Sequence, residues 1–287
     1  MTFGIIEDGP PDGPLALLVH GFPDTAHTWR HLLPDLAARD FHAVAPFLRG
    51  YAPTSLAPDG NYSIGALAHD CCELYEALRA TAPALLIGHD WGAIAAYGAA
   101  NCKPEYWGRL VTMAVPPLTG ILSRFTRFAQ LKRSWYMFFF LHPLAAQIVT
   151  SDDRAILAGL WSDWSPGYDS SEDLAHVRDA LPTQERMQAA ISYYRSLLDP
   201  SSVDPSFAAE YAAAFAPVAQ PTLYLHGELD GCIGVEAAEG ATASLGKGSR
   251  AVVVPGAGHF LHLERPQEIA GEIGRFLSSP SQPIDAA

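Results

Sequence analysis

Short apolar runs alternate with longer stretches of helical periodicity, and that alternation narrows the fold more than any other feature. Leu15–Val19 is bounded by Gly13-Pro14 and Gly21, and residues 43–45, 85–87, 110–114, 222–225 and 251–254 read the same way. Runs without polar alternation suit strands buried on both faces, as in a parallel sheet covered by helices. Between them, Ile64, Leu67, Cys71, Leu74, Tyr75 and Leu78 recur at helical spacing behind Ser63, a plausible N-cap. Residues 91–100 are small and Ala-rich, fit for a helix packed closely on a sheet, and Pro116-Pro117 closes the strand before it. A last helix is expected from Pro266, with Ile269, Ile273, Phe276 and Leu277 on one face. From about residue 118 to 214 no buried strand is evident; this stretch carries the Phe138-Phe139-Phe140 run and several helical patterns. The expectation is an α/β chain: a mostly parallel sheet flanked by helices, built from residues 1–116 and 215–287, with a helical cap inserted at 117–214. The tail from Ser278 is expected to be loose.

Composition removes several functional classes. At 49% hydrophobic and 17% charged, the 287 residues can bury a large core. With 31 acidic against 18 basic residues the formal charge is −13, which repels nucleic acid and anionic membranes. Cys71, Cys72, Cys102 and Cys232 form no Cys-x-x-Cys pair and read as free thiols in a reducing compartment. Residues 1–14 lack the cationic start and apolar run of a signal peptide, and the greasy stretch at 135–141 is too short to span a bilayer. A cytoplasmic protein without membrane insertion is expected; its oligomeric state is left open.

The chemistry concentrates at strand ends. Gly88-His89-Asp90-Trp91-Gly92 sits where an apolar run ends and a helix begins, the pattern of a nucleophile elbow with Asp at its tip. Small flanking residues suit a tight turn, and a helix N-terminus favours an anionic side chain. The competing reading makes Asp90 an ordinary N-cap. His20-Gly21-Phe22-Pro23 follows the first apolar run, so the backbone N–H groups of Phe22 and Trp91 are placed to form an oxyanion hole. Gly227-Glu228-Leu229-Asp230 and Gly258-His259 follow two later runs, giving the chain order nucleophile, acid, histidine.

With these motifs the chain resembles the epoxide hydrolase branch of the α/β-hydrolase superfamily, almost end to end across the core. The resemblance implies a cis Phe22-Pro23 peptide. Leu48-Arg49-Gly50-Tyr51 is similar to a family segment, departing from it at Phe47, where an Asp is usual, and at Ala52, where a Gly is usual. Arg49 reads as a structural ion-pair partner. The family carries two tyrosines in its cap as proton donors; the stretches around Tyr136 (136–143) and Tyr194 (192–195) resemble theirs. Tyrosine suits the role because its ordinary pKa near 10 keeps it protonated at neutral pH.

The implied reaction opens a small apolar epoxide to a diol through a covalent ester on Asp90. His259, oriented by Asp230, activates the water, Tyr136 and Tyr194 protonate the leaving oxygen, and no cofactor or metal takes part. His259, His262 and Glu264 match no standard zinc spacing, and His262 reads as a surface or supporting residue. His89 is expected to pack or hydrogen-bond within the elbow, and the Phe138–Phe140 run to line an apolar pocket rather than enter a membrane. Two rivals remain. A dehalogenase would use the same Asp–His–Asp set, with Trp91 and one of Trp135, Trp161 and Trp164 holding halide, though such enzymes usually carry Asn where Phe22 stands. A catalytically silent relative would bind a small molecule without retaining all three groups.

Overall fold

The structure is a computed structural model and describes residues 1–119, 125–199 and 203–279. Its sheet comprises β1 (Ile5–Asp8), β2 (Leu15–Val19), β3 (His42–Pro46), β4 (Ala84–His89), β5 (Trp107–Met113), β6 (Thr222–Gly227) and β7 (Arg250–Val254). They lie in the order β1-β3-β2-β4-β5-β6-β7. Only β1 runs antiparallel to its neighbour. Every residue of β2, β3, β4 and β6 is buried, which is why these strands read as unbroken apolar runs. The sequence pattern missed β1 because the strand is a mostly exposed edge of four residues, two of them acidic, with no buried face to imprint a period.

Helices α1 (Leu32–Ala37), α2 (Ile64–Ala77) and α3 (Trp91–Cys102) follow β2, β3 and β4. The Ser63 hydroxyl caps α2 by accepting from the Ala66 N–H, as its position suggested. α3 is buried from Trp91 to Ala100, so its run of Ala and Gly lets it lie close on β2, β4 and β5. Between β5 and β6 the described residues form helices and no strand: α4 (Phe128–Arg133), α5 (Trp135–Phe139), α6 (Ala145–Thr150), α7 (Ala155–Trp164), α8 (Ser171–Ala180), α9 (Gln184–Leu198) and α10 (Ala208–Ala213). The last of these, α10, packs on α2 and α3. After β7 come α11 (Leu261–Glu264) and α12 (Pro266–Ser278), whose buried stripe is Ile269, Ile273 and Phe276.

Topology decides where a site can form. β3 lies on one side of β2 and β4 on the other, so the chain reverses its direction of sheet growth between them. At such a switch point the loops leaving the two carboxyl ends diverge and open a crevice. Register brings the ends level: Val19 pairs with Gly88, His89 with Met113, Met113 with Leu225, and Leu225 with Val252. The loops after β2, β4, β6 and β7 therefore meet along one edge of the sheet.

A buried ion pair braces the loop between β3 and α2. Arg49 forks onto Asp70 through Nε and Nη2 at 2.6 and 2.5 Å, and its Nη1 donates to the Asn61 carbonyl at 2.6 Å. The Tyr193 hydroxyl, on α9, donates to the Arg49 carbonyl. Arg49 is thus the structural partner its motif suggested. Asp70→Ala strands a buried guanidinium and is expected to destabilise the protein by about 3–5 kcal/mol, read from urea unfolding; a loss under about 1 kcal/mol would mean the pair is dispensable.

Candidate active site

Asp90 is the single residue between β4 and α3, with φ 53° and ψ −117°, a conformation L-residues adopt at a cost. The flanking glycines are sterically required. A Cβ on Gly92 would lie 1.9 Å from the Val19 carbonyl oxygen, and one on Gly88 would lie 2.2 Å from that of Gly92. Asp90 makes no side-chain capping bond to α3; its Oδ1 instead accepts from the Phe22 N–H at 2.8 Å. The helix-capping reading of Asp90 is therefore set aside. His20 steadies the loop that supplies this N–H. Its Nδ1–H donates to Gly21 O at 2.8 Å and its Nε2 accepts from the Leu48 N–H at 3.0 Å, which fixes a neutral tautomer. Burial lowers its pKa to about 4, in keeping with that tautomer. The Phe22–Pro23 peptide is cis, as the resemblance implied.

His259 and Asp230 meet the same carboxylate. His259 Nδ1 lies 2.9 Å from Asp230 Oδ2, and its Nε2 faces Asp90 Oδ2 at 3.7 Å. The other Asp230 oxygen accepts from the N–H groups of Cys232 and Ile233 at 2.8 and 2.9 Å. All three side chains are buried. Tyr136 and Tyr194 come from α5 and α9, and their rings lie 5.5 Å apart, edge to face. Both line a cavity of about 260 Å³ together with Asp90, Trp91 and Cys232; the remaining wall is nearly all aliphatic or aromatic. The Tyr136 hydroxyl contacts Cys232 Sγ at 3.3 Å. The Tyr194 hydroxyl is buried beside the Trp91 side chain, whose hydrogen bond opposes the upward shift of its pKa. Burial first, then the nearby negative charge of Asp90, holds the Tyr194 pKa well above 10; burial does the same for Tyr136, so both keep their protons.

The sequence profile of the alpha/beta hydrolase family matches residues 16–272. The chain belongs to that family. Among its relatives, Epoxide hydrolase A of Mycobacterium tuberculosis (strain ATCC 25618 / H37Rv) is 26% identical over 314 residues, covering 96% of this chain and 93% of the relative. Epoxide hydrolase 1 of Caenorhabditis elegans is 28% identical over 282 residues, covering 95% and 67%. Of solved structures, an epoxide hydrolase of Bacillus megaterium in complex with an inhibitor superposes with a TM-score of 0.79 at 26% identity, covering 96% of this chain and 97% of that one. Epoxide Hydrolase A of Mycobacterium thermoresistibile gives 0.77 at 27%, covering 97% and 95%.

Within this alpha/beta hydrolase, several residues stand elsewhere than the sequence suggested. Of the two places expected for His262 the surface one is excluded: the ring is buried, its Nε2 2.5 Å from Thr28 Oγ1 and its plane stacked on Trp29. His89 does not line the cavity; it donates from Nε2 to the His259 carbonyl at 3.0 Å, so its hydrogen bond reaches beyond the elbow to the backbone of His259. Of the tryptophans considered as halide donors, Trp161 spends its indole N–H on the Pro23 carbonyl at 2.9 Å, and neither Trp135 nor Trp164 lines the cavity. Two supporting residues went unnoticed. His226, buried beneath Asp230, is locked between Tyr224 Oη and the Ile233 carbonyl. Its strand–His–Gly setting repeats that of His20-Gly21 and was the available signal. Cys232 carried none. Two groups of donor atoms lie within 4.8 Å of one another, Asp24 with His89 and His262, and Asp90 with Cys232 and His259. An ion at the second would take the atoms through which Asp90 and His259 face each other.

The electrostatics follow from burial and pairing. For Asp230, burial alone would raise the pKa, but His259 and the loop N–H groups outweigh it and the net shift is downward. For His259, burial alone would lower the pKa; Asp230 and Asp90 outweigh it and lift it from 6.5 to about 10. A raised folded pKa adds stability that is full below 6.5 and lost as pH rises through about 10. Imidazole ¹⁵N NMR is therefore expected to show His259 protonated at neutral pH, and Asp230→Asn to shift its titration down. A native titration near 6.5, unmoved by Asp230→Asn, would contradict this pairing.

Proposed function

We propose that the chain is an epoxide hydrolase acting through a covalent ester on Asp90, with residues 117–214 serving as a cap over the cavity. The observation that supports this most is that a carboxylate and two protonated tyrosines face one apolar cavity, electrophile side and leaving-group side. The names of the relatives, matched over nearly the whole chain, point the same way. An Asp90 oxygen attacks an epoxide carbon, the C–O bond breaks toward oxygen, and Tyr136 or Tyr194 protonates the alkoxide. Esterification removes the charge on Asp90. His259 then loses one of the two anions that held its proton and yields it to the tyrosinate. Neutral His259 draws a proton from water, the hydroxide adds to the ester carbonyl, and the N–H groups of Phe22 and Trp91 stabilise the oxyanion. On collapse the departing alkoxide takes the proton of the hydroxyl just added, which frees the diol and restores Asp90 as a carboxylate, while His259 keeps the proton it drew from water.

This sequence separates the two half-reactions experimentally. His259→Gln is expected to form the ester but not hydrolyse it, so intact-protein mass spectrometry with an epoxide such as styrene oxide should show one added substrate mass. An unmodified, inactive protein would count against the covalent route.

The tyrosines are tested by rapid-quench alkylation rates. Tyr136→Phe and Tyr194→Phe are each expected to slow ester formation by about 10²-fold, and the double variant to abolish it nearly completely. A double variant that alkylates at the native rate would remove epoxide opening from consideration.

A further inference from the structure

We propose that the face formed by α4, α5 and α6 docks on an anionic lipid surface, with the cavity mouth opening toward it. Twelve large apolar side chains are exposed among the described residues, and seven of them fall between Phe128 and Ile148. Phe128 is 80% exposed, Phe138 and Leu144 are each 52% exposed, and Trp135 is 47% exposed. Such a concentration is unusual on a surface that meets only water. Phe128 and Trp135 border one surface hollow, while Leu131 and Phe138 are partly exposed and also line the wall of the Asp90 cavity, so the apolar face runs into the cavity's mouth.

Charge selects the occupant. The chain carries 31 acidic residues, yet none occurs between Glu105 and Asp152 in the sequence. Arg127, Lys132 and Arg133 stand within the apolar face. Arg133 reaches Glu236 at 3.9 Å, whereas Arg127 and Lys132 make no ion pair among the described residues; Asp163 borders the same hollow as Lys132. Apolar side chains interleaved with cations are what an interfacial surface presents to anionic headgroups. A second copy of the chain fits less well, because two such faces would oppose like charges. The remaining surface, strongly acidic, is repelled by the same membrane and so orients the protein with the cavity mouth inward. Among the described residues no helix is long and apolar enough to cross a bilayer, and docking requires none. That a lipid-dissolved epoxide enters by this mouth rests on the proposed reaction; the docking itself does not.

The test is co-sedimentation of the full chain with phosphatidylcholine vesicles, with and without phosphatidylglycerol, in the absence of substrate. Binding is expected to the anionic vesicles and to weaken as salt is raised. Phe128→Glu/Leu144→Glu, two exposed positions outside the cavity, should abolish it while leaving the thermal midpoint and turnover of a water-soluble epoxide unchanged. Arg127→Gln and Lys132→Gln should each lower partitioning about fivefold on anionic vesicles. Absence of pelleting, or equal binding to neutral and anionic vesicles, would overturn the proposal. So would a concentration-dependent dimer in sedimentation velocity that Phe128→Glu/Leu144→Glu disperses, which would assign the face to self-association.

Discussion

A strand and a helix joined through one residue set the terms for the rest of the molecule. Because β4 ends at His89 and α3 begins at Trp91, Asp90 must hold a positive φ, and its neighbours must come within contact of the Val19 and Gly92 carbonyls. That closeness excludes side chains at Gly88 and Gly92 and draws β2 and α3 together. Seven of the ten buried residues from Trp91 to Ala100 in α3 are accordingly Ala or Gly. The same turn projects the Asp90 carboxylate past the end of the sheet, where the loop after β2 offers the Phe22 N–H. Strain at Asp90 is thus offset by packing around it, and the carboxylate is held still for the same reason that it is strained.

Burying Asp90, Asp230 and His259 together would be costly if any were left alone. Two loop N–H groups and the imidazole share the load on Asp230, and Asp230 in turn keeps a proton on His259. The imidazolium then faces Asp90. The resting arrangement is therefore two carboxylates around one proton-bearing ring, with a net charge of about −1 on the three groups. An alkylated Asp90 removes one negative charge, and the ring is left with less reason to stay protonated. In the proposed route that one change in local charge would be enough to turn the imidazolium into a base.

The strands that carry the site were legible because parallel strands buried on both faces leave apolar runs, and the turn residues after them keep fixed chemistry. The exposed edge strand β1 left no such mark. Cys232 was illegible for a different reason: the loop after β6 brings it to Tyr136, 96 positions away in the sequence, whereas His226 acts on its own loop and left a strand–His–Gly signal that repeats His20-Gly21. The helices between β5 and β6 show the limit of periodicity itself. Phe138, Phe139 and Phe140 are adjacent and chemically identical, yet a helix turns each by about 100° from the last. Phe138 is consequently exposed, Phe139 half-buried and Phe140 fully buried against Phe22 and Tyr194. Spacing marks a stripe but not whether protein, solvent or another surface covers it.

The candidate site is divided between two bodies of structure, and the division has a mechanical consequence. Asp90, His259 and Asp230 sit on turns at the sheet edge, while Tyr136 and Tyr194 are carried by helices inserted between β5 and β6. Were those helices free to drift, the proposed proton donors would move relative to the carboxylate by more than a hydrogen bond tolerates. Hydrogen bonds cross the boundary at the points that matter. The Trp161 indole holds the Pro23 carbonyl, next to the N–H that touches Asp90. The Trp164 carbonyl receives the backbone N–H groups of both His259 and Gly231, binding the base loop and the acid loop to the end of α7. Tyr193, the neighbour of Tyr194, anchors α9 to the Arg49 carbonyl, which the buried Asp70 pair immobilises. Each group that would handle a proton is therefore within one or two residues of a bond to the other body. The carboxylate and the tyrosines are thus tied to one another through bonds that end on backbone carbonyls of the opposite body.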